Sequence, residues 1–271
     1  LKNALSEYLR RFVRLLLMDS VTWSDICSSK ALIFGLKRYS FRREYTASKL
    51  AAVGFTNLEI MDAFDGHNED VDSALTSLGI QVNPNLGKGH KGCCQTHYAA
   101  WKQMIDDGVP FRVFFEDDVI PHLDIKALGE KYWNATPKDF DMLYLGSMMN
   151  PEEKEFKNSP ELILKLPSYC THAYMLSRKG ALRLMELCKI SVLHMIDIQL
   201  ICWQDEKKLI WYCWNGTILQ KSYPTYSDDL PWKMFPDIIV PMKDSGLFWQ
   251  NMRVGTTLGE SLQVPMPPKH Y

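Results

Sequence analysis

No CxxC pair occurs among the 7 cysteines, and only Cys93 and Cys94 lie side by side. The missing pair argues against a structural zinc site, and the odd, irregular set reads as reduced thiols and not as a disulfide framework. No apolar stretch is long enough to span a bilayer, and the longest early run, "RLLLM", is too short for a signal-peptide core. A net charge of −1 offers little to wrap nucleic acid or to hold an anionic membrane, so neither partner is expected. A phosphate-cradling G-x-x-x-x-G-K-[ST] loop is absent, which counts against a phosphotransferase built on one. No internal repeat is found. The chain begins at Leu1; a cytoplasmic location is the expectation, with a secretory-pathway lumen the alternative if a targeting segment has been removed.

What is present suits one large α/β domain or two small ones: 271 residues with 46% hydrophobic content. Residues 1 to 18 place Leu1, Leu5, Tyr8, Leu9, Phe12, Leu15 and Leu16 on one helical face, the pattern of a packing helix at a domain edge. "ALIFGL" (31–36) reads as a first buried strand, and "REYTASKLAAVGF" (43–55) as a helix closed by Gly54. "LEIMDAFDG" (58–66) reads as a second strand running into an Asp-Gly turn. Residues 68–91 have weak periodicity and are expected to form a loop or lid. "CCQTHYAAWKQMIDDG" (93–108) is a helix; "MLYLGS" (142–147), "HAYMLS" (172–177) and "LIWYCW" (209–214) are strands; "RKGALRLMELCK" and "MIDIQLICWQDEK" are helices. Alternating strands and helices predict an α/β layered fold. The tail after Asp229, with six prolines, is expected to be a wrap or flap of little regular structure.

One stretch demands an explanation. "FRVFFEDDVIPHLDI" (111–125) runs an interior-type strand into three adjacent acids, Glu116, Asp117 and Asp118. Carboxylates crowded at a strand end repel one another and lose water, so something positive must sit on them. In open α/β sheets ligands bind outside the carboxyl ends of strands, and carboxylate oxygens suit magnesium or manganese. Strand alternation sets Glu116 and Asp118 on one side and Asp117 on the other, in a structural role.

Several segments, taken in order, resemble glycosyltransferase family 25, the group of lipooligosaccharide and procollagen galactosyltransferases. They are "IFGLKRYSFRR" with Arg42, "AFDG", "GCCQTHYAAW", "FEDD", "DMLYLG" and "AYMLSRKGA", followed by Asp197. The order and spacing hold from about residue 31 to 229. Three positions depart from the family pattern: Gly35 stands for an asparagine, Thr96 for a serine and His90 for an acid.

The resemblance implies an α/β fold of GT-A type, a single Rossmann-like nucleotide-sugar-binding domain with a mixed central sheet. It would cover 30–230, between an N-terminal helical extension (1–29) and a C-terminal tail or flap (231–271), either of which could support self-association. It implies an inverting transferase that uses manganese, with magnesium second, and moves a hexose from a UDP-sugar. Galactose is favoured and glucose is next; the acceptor is a hydroxyl of a glycan or a hydroxylysine peptide. Asp118 is then the metal ligand, Glu116 a ribose or metal contact, and Asp228 a further metal contact. Leu36, Arg42, Asp65, Gly66, His97 and Lys102 are candidates on the donor side. Asp197, an acid in an apolar segment where burial can raise its pKa, is the candidate base, with Asp228 and Asp229 in reserve. The alternative is a transferase-like binding protein without catalysis.

Overall fold

The computed structural model describes residues 18–122, 124–148, 161–165, 169–215, 244–246 and 248–250. The strands are β1 (Ala31–Leu36), β2 (Leu58–Ala63), β3 (Gln81–Val82), β4 (Phe111–Glu116), β5 (Val119–Pro121), β6 (Met142–Met148), β7 (Ile163–Leu164), β8 (Tyr169–Ser177), β9 (Val192–Leu193), β10 (Trp211–Trp214), β11 (Asp244–Gly246) and β12 (Phe248–Gln250). The helices are α1 (Trp23–Ser28), α2 (Ser40–Ala52), α3 (Val71–Ser77), α4 (Lys88–Asp106), α5 (Ile125–Ala135), α6 (Arg178–Ile190) and α7 (Ile196–Asp205).

Among the described residues the central sheet is mixed, in the order β2-β1-β4-β8-β6-β10-β7, with β11 also paired to β6. β1 is parallel to β2 and β4, and β10 is parallel to β6. β8 runs antiparallel between β4 and β6. This reversal matters for function: it brings the beginning of β8 to the carboxyl end of β4, beside the acids.

Both faces of the sheet are covered, so the central strands are apolar on both sides. Leu32, Phe34, Phe114, Tyr144 and Tyr174 pack on Trp101 and Met104 of α4 and on α6 and α7. The alternate residues Ile33, Val113, Phe115, Leu143 and Met175 pack on Trp23, Leu50 and Trp133 from α1, α2 and α5. All seven cysteines are free thiols.

β1, β4 and the long helices stand where the sequence places them. Gly54 closes α2 at φ +111°, a left-handed position that glycine tolerates without a Cβ penalty. The expected loop over 68–91 is corrected: it holds α3, capped by Asp70 through the Ser73 N–H at 3.1 Å, and β3, which pairs with β9. Only Val71 and Leu75 of α3 are buried, a pair four apart that is too sparse to register as periodicity. α4 begins at Lys88, five residues before the expected start, despite two glycines in its first half. From the end of the expected N-terminal extension, Met18, Trp23, Ile26 and Cys27 belong to the core. Part of the tail is regular: Asp244–Gly246 pairs with β6 and Phe248–Gln250 with β5. The amphipathic helix over 1–17 and the reserve acids Asp228 and Asp229 lie outside the described residues.

Candidate active site

A cleft opens at the carboxyl ends of β1, β2 and β4, walled by the start of β8 and the first turns of α4 and α7. Seven of the predicted site residues line it, Leu36, Asp65, Gly66, His97, Glu116, Asp118 and Asp197, together with Asp117, which was expected to have a structural role. These come from five separate stretches of chain.

Glu116 ends β4 and turns its carboxylate onto a buried cluster. Its Oε1 accepts from Thr171 Oγ1 at 2.6 Å and lies 3.3 Å from His97 Nε2. Burial opposes ionisation here, yet the hydrogen bonds from His97 and Thr171 hold the carboxyl below its ordinary value. Asp117 points the other way, as strand alternation requires, and its Oδ1 lies 2.8 Å from Arg42 Nη2. Asp118 Oδ2 is 3.8 Å from the same guanidinium nitrogen. Arg42 is therefore one positive group that the acidic triplet needs. It is buried on α2 and pairs with these acids. The neighbouring Arg43 pairs with Asp62 of the second strand. Burial pushes the Asp117 carboxyl up to about 7, with Arg42 pulling against it.

Gly35 explains where Asp117 goes. A Cβ at position 35 would stand 2.6 Å from the Asp117 Cβ and closer still to its carboxyl group. The aspartate occupies the space that a side chain on β1 would fill.

The β2 end is built on its own turn. Asp65 accepts from Asn68 Nδ2 at 2.7 Å and pairs with Arg38. Gly66 permits close approach, but the group that approaches is the Lys88 carbonyl of α4, where a Cβ would collide. Gly92 does the same for the Phe64 carbonyl, at 2.5 Å from its would-be Cβ. Thr96 completes the seam: its hydroxyl donates to the Gly92 carbonyl at 2.8 Å and accepts from the Phe64 N–H at 2.9 Å. A hydroxyl is what this position uses, and threonine supplies it as serine would.

Asp197 lies in the first turn of α7, half-buried, with Oδ1 accepting the Ile198 N–H at 2.8 Å. It sits on the cleft wall and not in the apolar core that its sequence neighbours suggested. Two predicted donor-side residues lie outside the cleft lining: Arg42, buried behind Asp117, and Lys102. Lys102 is exposed and paired with Asp106 one turn along α4.

Sequence reasoning missed Arg38 and Thr171. Arg38 is the one Lys or Arg among the described cleft-lining residues, held by Asp65 with its guanidinium 5.2 Å from the Tyr39 ring. The "LKR" immediately after β1 carried a signal, since basic residues at a strand end read as anion contacts. Thr171 had none, because its importance arises only from the reversal of β8. Cys93 also lines the cleft, where burial raises its thiol well above the ordinary value and favours the protonated form.

Five carboxylates and one arginine face this space among the described residues. No group of three or more His, Cys, Asp or Glu side chains there is arranged as a metal cage. The donor set nevertheless fits a hard divalent ion. Magnesium and manganese are held by one or two carboxylates and complete their shell with water and substrate phosphate. Glu116, turned toward His97, and Asp118, beside Arg42, are the carboxylates at the strand end available for such a pair.

The chain matches glycosyltransferase family 25 (LPS biosynthesis protein) over residues 28–199. It is 30% identical to the human inactive glycosyltransferase 25 family member 3, over 60% of this chain and 29% of that protein. It is 29% identical to human procollagen galactosyltransferase 2, over 56% of this chain and 26% of that protein. The chain thus spans under a third of the length of these curated relatives. Among solved structures, mouse xyloside xylosyltransferase 1 aligns with a TM-score of 0.36 at 11% identity, over 78% of this chain and 86% of that one.

Proposed function

This chain belongs to glycosyltransferase family 25, and from that premise we propose that its cleft binds a UDP-sugar with a divalent cation and transfers the hexose to a hydroxyl acceptor. The observation that carries the reading is the charge of the cleft. Among the described residues five carboxylates line the cleft with Arg38 as the one Lys or Arg in the lining, and Arg42 sits behind Asp117 and Asp118, so a diphosphate entering by itself meets repulsion. An accompanying cation removes that repulsion. Glu116 and Asp118 would hold it, manganese first and magnesium second, and when bound it would neutralise charge on the leaving diphosphate.

The other residues do work of their own. Arg38 gives the diphosphate a guanidinium contact, and Asp65 aims it. Leu36 and Gly35 make the floor at the end of β1, on which the nucleoside rests. Asp197, across the cleft, takes the proton of the acceptor hydroxyl. The hydroxyl oxygen attacks the anomeric carbon, the bond from that carbon to the diphosphate breaks, and its electron pair leaves with UDP; attack from the opposite face inverts the configuration. Galactose is the favoured sugar and glucose the next. The acceptor is a glycan or a hydroxylysine peptide, a reading supported by likeness to proteins named procollagen galactosyltransferases.

A second reading, donor binding without transfer, draws on one observation: relatives at 30% identity are named as inactive. A panel of UDP-sugars with manganese separates the two, scoring binding by calorimetry and transfer to galactosyl and hydroxylysyl acceptors. The first reading expects metal-dependent binding and turnover, with Asp118→Asn abolishing metal-dependent UDP binding while leaving the fold intact. UDP binding without turnover on any acceptor selects the second. Binding that is as tight in Asp118→Asn as in wild type refutes the metal assignment.

A further inference from the structure

Behind Glu116 runs a closed chain of hydrogen bonds whose direction can be read from donor chemistry alone. Trp101 Nε1 is a donor only, and it lies 2.9 Å from the Tyr174 hydroxyl. Tyr174 therefore accepts there, and burial holds its phenol well above the ordinary value, so it keeps its proton. Among the described residues the other partner of that hydroxyl is His97 Nδ1, at 2.8 Å. The buried phenol has one hydrogen to give, and giving it to Nδ1 places the imidazole hydrogen on Nε2. Nε2 faces Glu116 Oε1 and Thr171 Oγ1, each at 3.3 Å. The Thr171 hydroxyl spends its own hydrogen on Glu116 at 2.6 Å, so it can only accept from His97. Trp101, Tyr174 and His97 are fully buried, where a misplaced donor has no water to turn to.

We infer that Tyr174 and Trp101 are positioning residues: they lock His97 as the Nε2–H tautomer, and with Thr171 this aims the Glu116 carboxylate into the cleft. Both in-protein hydrogen bonds fall on Oε1, so Oε2 is the oxygen offered to the donor or its cation. The chain reaches from α4 through β8 to the tip of β4. It lets two residues that touch no ligand set the geometry of one that does. This inference rests on the UDP-binding reading above for its functional consequence, but not for the tautomer.

The test has two arms on this chain. Imidazole 15N NMR of the ligand-free protein should show His97 with Nε2 protonated and Nδ1 unprotonated. Tyr174→Phe should move the hydrogen toward Nδ1, because that nitrogen has lost its donor. Calorimetry with UDP and manganese should show affinity falling by about 10–100-fold in Tyr174→Phe, the usual loss when an outer-shell partner is removed. Thr171→Val should fall similarly, and Thr171→Ser should recover what Thr171→Val loses. An unchanged tautomer in Tyr174→Phe, or UDP and manganese binding as tight as in wild type, overturns the inference. If Tyr174→Phe does not fold, the Thr171 pair decides it: equal affinity of the Val and Ser variants overturns the aiming of Glu116. If wild type binds no UDP, the functional reading fails, and the NMR arm alone still upholds or overturns the relay.

Discussion

Gly35→Ala is the most exacting perturbation this site allows. The change adds one methyl group to β1, away from any left-handed backbone position, so only packing is disturbed. That methyl would stand 2.6 Å from the Asp117 Cβ and nearer its carboxyl, against an ordinary contact of roughly 3.4–4 Å. The aspartate cannot simply swing aside, because Oδ1 is held by the buried Arg42 at 2.8 Å. Overpacking by itself costs about 1–3 kcal/mol. Driving Asp117 off Arg42 leaves a buried guanidinium short of its main partner, a loss of about 3–5 kcal/mol when complete. With the pair partly broken, the combined cost should be about 3–5 kcal/mol, a fall in melting temperature of about 6–20 °C for a domain of this size. Denaturant titration and thermal melts measure it, and calorimetry with UDP should show weakened binding because Asp118 is the next residue along. The decisive comparison is a double-mutant cycle with Asp117→Ala. Once the carboxylate is gone, the alanine methyl at position 35 has room, so the double variant should be more stable than the sum of the two single losses predicts, by about 1–3 kcal/mol. Wild-type stability for Gly35→Ala, or strictly additive losses, would refute the claim that Asp117 fills the space of the missing side chain.

Asp117→Asn should alter the pH profile of stability. Burial raises this carboxyl from 3.8 to about 7, so the native state holds its proton more tightly than the unfolded chain does. The associated stability is fully present below about pH 4 and is lost as pH rises through about 7; the asparagine variant should gain on wild type across that window by up to about 1.4 kcal/mol per pH unit. Urea titrations at several pH values that give a constant difference would contradict this. Asp65→Ala and Arg38→Ala should each weaken UDP binding by about 1–3 kcal/mol, and the double variant should lose little more, since Asp65 acts by aiming Arg38. Additive losses in calorimetry would place Asp65 in direct contact with the donor instead. Asp197→Asn should leave UDP affinity near wild type and cut transfer by about a hundredfold to ten-thousandfold. Near-normal transfer would move the role of base to Asp228 or Asp229.

The chain order of amino acids was enough to locate the long central strands and the place where β4 ends in acid. β1 and β4 are apolar on both faces because helices cover both sides of the sheet, so their sequences are nearly continuous apolar runs. "FFEDD" marks the tip of β4 because charge cannot continue into a core. Alternation also separated Asp117 from Glu116, but Asp118, past the end of the strand, joins Asp117 at Arg42. Three features depended on the tertiary structure. The partner of the acidic triplet is Arg42, brought there by the docking of α2, whereas spacing alone pointed it toward phosphate or the second strand. Gly66 serves the backbone of α4, an approach that no local pattern records. Thr171, 55 residues from Glu116, meets it because β8 runs antiparallel to β4 and so starts where β4 stops. A strand's direction within its sheet is set by the whole packing arrangement, and a residue whose role depends on that direction carries no mark of it in its own neighbourhood.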